Sequence, residues 1–189
     1  MALHRSSRLH LAGLAFIILA ASGCATVPGN SLDREHLRER AAAAIERFKQ
    51  ADPSLTDSFF DSAAGWAVFP SVGKGGAGYG GAFGRGVVYA GGRPVGYCSL
   101  TQASIGFQLG GQVYKELIFF KEQADLAEFR AGDLAFSAQV SAVAATAGAA
   151  RAADYRNGVA VFLLDSKGLM YEASVGGQKF EFVPFDQVE

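Results

Sequence analysis

Leu37, Ala41, Ala44, Ile45 and Phe48 fall at i, i+4, i+7, i+8 and i+11, a single apolar stripe that predicts a helix opening at Asn30 or Ser31 and stopping before Pro53. Its polar face between positions 33 and 49 mixes five basic residues (Arg34, Arg38, Arg40, Arg47, Lys49) with four acidic ones (Asp33, Glu35, Glu39, Glu46). Such a face suits a helix packed on its own domain rather than one lying on lipid. Ser54 and Asp57 have capping-box spacing, with Asp in place of Glu or Gln, and predict a second short helix through Phe59 and Phe60. Beyond Gly65 the period falls to two. Segments 66–69, 82–90 and 95–109 are rich in aromatic and β-branched residues, and Ile105, Phe107 and Leu109 alternate with Gly106, Gln108 and Gly110. These predict strands, with Gly91-Gly92-Arg93-Pro94 as a turn, a further strand at 113–120 and a short helix at 123–130. The alanine-rich segment 135–153 reads equally as a helix or as a strand of small side chains. A fully apolar run at 159–164, a turn at Ser166-Lys167-Gly168, a return at 169–175, and Phe180 and Phe182 alternating with Lys179 and Glu181 complete the pattern. Helices first and mainly antiparallel strands afterwards predict an α+β fold, with N-terminal helices packed on a glycine-rich, barrel-like sheet.

The N-terminus follows a different pattern. His4, Arg5 and Arg8 precede an apolar run at 11–21 that is short for a membrane span, as in a secretory signal peptide. It ends in Ala21-Ser22-Gly23-Cys24, which is similar to the lipobox at which bacterial lipoproteins are acylated and cut. The expected organisation is a signal peptide at 1–23, a lipidated Cys24 opening a short tether at 24–30, and one domain at 31–189. Ala25 after the cysteine, where an aspartate would favour inner-membrane retention, points to the periplasmic face of the outer membrane. With Cys24 committed to lipid, Cys98 has no intrachain partner and is expected to be a free, buried thiol.

Composition narrows the functional classes. A chain of 189 residues, half of them hydrophobic, is expected to bury one core. With 17 basic and 18 acidic residues there is no electrostatic case for nucleic-acid binding. Signal cleavage would remove His4 and His10 and leave His36, on the charged first helix, as the sole histidine. A Ser-His-Asp triad then has one poor choice of base, a zinc site with several His or Cys ligands cannot be assembled, and no carboxylate pair stands out. The expectation is a protein that is not an enzyme and holds no metal or cofactor.

The most distinctive stretch runs from Gly73 to Gly81. Gly76, Gly78 and Gly81 satisfy G-x-G-x-x-G, but strand residues follow where a dinucleotide site needs a helix. Lys74 is followed by glycine rather than Ser or Thr, so there is no Walker loop either. Successive glycines can turn backbone N–H groups toward one point beside the lysine charge, which suits a phosphate or carboxylate; they also simply permit bulges and close strand packing.

Several blocks here, in order, closely resemble the SYLF domain: Gly65-Trp66-Ala67-Val68-Phe69-Pro70-Ser71-Val72-Gly73-Lys74-Gly75-Gly76, Gly86-Val87-Val88, Gly96-Tyr97-Cys98-Ser99-Leu100-Thr101, Ser104-Ile105-Gly106-Phe107-Gln108-Leu109-Gly110-Gly111-Gln112, and Asp165-Ser166-Lys167-Gly168-Leu169-Met170-Tyr171. The resemblance implies a lipid-binding domain. Eukaryotic members bind phosphoinositides and some bind actin, while bacterial members are mostly exported lipoproteins. It also matches Lys74 to the basic residue of the family's V-x-K-x-G segment and the helix before Gly65 to a membrane-contacting region.

The expected function is therefore an exported, lipid-anchored module that binds anionic phospholipid or a related amphiphile of the membrane. Lys74, Gly73, Gly75, Gly76, Arg85 and Arg93 are the candidate head-group contacts, and no protein partner is identified. The alternative is a structural envelope lipoprotein whose only lipid contact is its acyl anchor. An eight-stranded membrane barrel fits poorly with the N-terminal helices and the apolar run at 159–164.

Overall fold

The computed structural model describes residues 26–132, 142–165 and 177–188, with the backbone alone at 76–79 and 104–110. Helix α1 (Ser31–Ala51) is the predicted one: Asn30 caps it by accepting from the Asp33 amide at 2.8 Å, and Leu37, Ala41, Ala44, Ile45 and Phe48 form its buried stripe. Burying a side chain such as Phe48 contributes about 2 kcal/mol, so this stripe and not helix propensity fixes α1 on the domain. The second helix is a single π-helical turn, Thr56–Phe60. The expected capping box does not form, because the Ser54 hydroxyl donates to Asp52 Oδ1 at 2.6 Å.

The four strands expected between 66 and 120 are two. Strand β1 (Gly65–Ala90) and β2 (Arg93–Phe120) form one long antiparallel hairpin through the glycine-rich stretch. Its turn is Gly91-Gly92, both at positive φ (54° and 78°), the double left-handed geometry that matches strand twist. Irregular register at Phe69/Val72 and Gly76/Gly78 bends the pair until the two halves of β1 meet. A Cβ on Gly86 would lie 2.5 Å from the Val68 carbonyl oxygen and 3.0 Å from Cys98 Sγ, so the roll requires glycine there.

Helix α2 (Gln123–Ala131) follows, then the short strand β3 (Ala142–Ala144), the four-residue helix α3 (Ala149–Ala152), β4 (Val159–Asp165) and β5 (Gln178–Pro184). The sheet order is β1-β2-β4-β3, with β5 paired to the first half of β2 and β4 to its second half. The fold is α+β, and the sheet rolls without closing into a barrel. The predicted turn at 166–168 and strand at 169–175, the signal peptide and Cys24 lie outside the described residues.

Rolling splits the expected single core in two. Inside the roll, Ala67, Phe69, Val88, Leu100, Ile118 and Phe120 pack with Leu126 and Phe129 of α2. Outside it, Trp66, Val68, Val87, Leu117, Phe119 and Phe162 pack under α1 and the π-helical turn. Both faces are covered, which is why β4 is apolar without alternation. No helix among the described residues is long and apolar enough to cross a membrane.

Candidate functional site

On the outer face of the roll a cleft of about 260 Å³ opens between α1 and β1. Leu37 anchors α1 at its edge, and Arg40, one turn further along, is exposed beside it with Nε donating to the His36 carbonyl at 3.4 Å. The floor comes from both halves of β1. Pro70 and Ser71 occupy the bulge before Val72, where a residue lacking an N–H disturbs no ladder bond, and Gly73 presents open backbone. Phe83 and Arg85 close the other side, with the guanidinium 5.6 Å from the ring centroid. A second hollow of about 580 Å³ shares Leu37, Arg40 and Arg85 and adds Pro28, Asp33, His36 and Glu39. Two guanidinium groups from different elements thus border one concave surface, with Phe83 left 40% exposed. Chemically this accommodates an anion attached to an apolar body.

The residues singled out in the sequence divide between surfaces. Gly73 and Arg85 line the cleft. Lys74 alternates with Gly73 and shares the face of Val72 and Tyr114, on the inside of the bend. Arg93 is exposed beside the hairpin turn, where the Gly91 amide reaches the Ala64 carbonyl. Gly75 and Gly76 are strand residues facing Gly111 and Gly110, so their amides alternate in direction and do not converge as in a loop. Arg40 was missed. Its signal was its spacing: three residues after the stripe residue Leu37, it had to border whatever α1 covers.

Beside the cleft, the start of the described chain is fastened down. Arg85, Ser99 and Glu181 form one cross-strand row on the outer face. Thr26, fully buried, lies over it, donating to Glu181 Oε2 at 2.6 Å with Ser99 Oγ 3.0 Å away. Pro28 is buried next to it, so residues 26–28 form part of the domain surface.

Inside the roll sits a polar group that no motif announced. Glu116 is fully buried, with Oε2 accepting from Gln178 Nε2 at 3.1 Å and no partner for Oε1 or for Gln178 Oε1 among the described residues. Burial pushes its carboxyl up to about 8, against which the Gln178 bond acts only in part. The neighbouring Cys98 is free and buried as expected, its thiol pushed up by burial and by the Glu116 charge.

Comparison with known proteins bears on one part of this surface. Residues 101–182 match the family model Ysc84, described as Las17-binding protein actin regulator. That segment is a Ysc84 (SYLF) segment. The chain is also 30% identical over 84 residues to Beta cell expansion factor A of Aeromonas veronii, an alignment covering 44% of this chain and 32% of the relative. It thus spans about a third of that protein's length. The Ysc84 segment contributes Thr101, Glu116, Gln178, Lys179 and Glu181, whereas Arg40, Gly73, Phe83 and Arg85 precede it. Every residue that lines the cleft lies before the Ysc84 segment, in a part of the chain that this match does not cover.

Proposed function

We propose that this chain is an exported, lipid-anchored module that binds the anionic head group of a membrane phospholipid, with no catalytic role. The observation that supports the reading best is the cleft in which Arg40 and Arg85 flank an exposed Phe83. Guanidinium forks suit a phosphate, and the aromatic edge suits the acyl-glycerol part of the same molecule. A lipobox-like Cys24 supplies the anchor, and Ala25 after it favours the periplasmic face of the outer membrane. The family is described by actin regulation and the relative is named for beta-cell expansion, and neither describes a surface for this chain.

Unacylated protein starting at Ala25 tests the lipid reading without help from the anchor. It should sediment with phosphatidylglycerol vesicles and not with phosphatidylcholine vesicles, and added salt should release it. Equal sedimentation with both, or with neither, contradicts the proposal.

A further inference from the structure

Thr26 lies two residues after the proposed acylated cysteine, and it is not on a free tether: it is buried and hydrogen-bonded to Glu181 and Ser99. Two residues reach at most about 7 Å. The acyl anchor must therefore leave the domain within that distance of one defined point on the outer face of β2 and β5. One step along the same strands, also about 7 Å away, is the row Phe83, Thr101 and Lys179, joined as cross-strand pairs. All three are exposed.

We infer that this row is the surface on which the anchored domain rests on the bilayer, with the Thr26 clamp fixing that orientation. The inference rests on the lipid-anchor reading above. An aromatic ring and a lysine on either side of Thr101 are the residue types that settle at the head-group boundary, the ring among the upper acyl segments and the ammonium among phosphates. Arg85, stacked near Phe83, adds a second positive charge on the same side. Glu181 lies in the neighbouring row, opposite Ser99, and accepts from the Thr26 hydroxyl. The same placement brings the Arg40 and Arg85 cleft to the interface, so that a head group reaches it from the anchoring leaflet.

Acylated full-length protein, reconstituted in phosphatidylethanolamine vesicles containing phosphatidylglycerol, tests this with an environment-sensitive dye on Thr101→Cys or on Glu128→Cys. Glu128 is exposed on α2, which packs at the inner core. Emission at 101 should shift to the blue and be quenched by brominated lipid; emission at 128 should do neither. Thr26→Ala should reduce the quenching at 101 toward the value at 128 while fatty-acid labelling at Cys24 and the circular dichroism spectrum stay unchanged, and Thr26→Ser should restore it. Equal quenching at the two sites, or quenching at 101 that is indifferent to Thr26→Ala, overturns the inference. Failure of the underlying readings shows elsewhere: in unacylated protein that ignores anionic vesicles, or in Cys24→Ser protein that still incorporates fatty acid.

Discussion

At the scale of single residues, the informative side chains are polar groups held where polar groups are costly. Glu116 was an unremarkable member of an alternating strand in the sequence, because nothing local shows that the roll would close over it. Its carboxyl takes up a proton near pH 8 in the folded chain and near 4.5 as an ordinary side chain. Between those values the folded state holds more protons than the unfolded one, so stability is fullest below about pH 4.5 and falls as pH rises toward 8. Glu116→Gln should abolish that slope and be more stable than the wild type at pH 8.5, as chemical denaturation across pH would show. An unchanged slope would mean that another group carries it. Cys98 was legible by contrast, since a lone thiol flanked by strand residues has few alternatives to burial.

At the scale of elements, α1 was read correctly down to its buried stripe, because one period and one cap determine it. The glycine stretch was not, since glycine fits loops and sharply bent strands alike and only the pairing of 73–76 with 110–113 decides between them. The tie between α1 and α3 was also invisible, as it joins residues about a hundred positions apart. Asp52 accepts from the Ser54 hydroxyl and from the amides of Ser54, Gly148 and Ala150, the last at 2.7 Å. Burial pushes the Asp52 carboxyl up, but these bonds outweigh it and hold the group below its ordinary value. Its contribution is present at neutral pH and is lost as pH falls through that lowered value. Asp52→Ala strands the buried amides of Ser54 and Ala150 and the part-buried amide of Gly148, and should cost on the order of 3 kcal/mol at pH 7. The expected result is a melting temperature lower by roughly 6–12 °C. A loss of under a degree would show that water satisfies those amides equally well.

At the scale of the whole molecule, the roll brings the two ends of β1 together under α1 and leaves the β2 and β5 edge beside the N-terminal clamp. Half of the candidate site was legible in the sequence. Gly73 and Arg85 meet at the cleft, whereas Lys74, one residue from Gly73, faces the other way by strand alternation, and Arg40 arrives from a helix whose position only the tertiary fold determines. The central claim is that Arg40 and Arg85 together hold an anionic head group. Its most direct measurement is the affinity of unacylated protein for phosphatidylglycerol vesicles in Arg40→Gln, Arg85→Gln and the double variant, with Arg47→Gln, on the exposed face of α1, as the charge-matched control. A basic residue at an anionic surface contributes about 1 kcal/mol, so each cleft variant should bind roughly fivefold more weakly and the double variant roughly 25-fold, with folding intact and the control close to wild type. A folded double variant that binds no more weakly than Arg47→Gln would contradict the account.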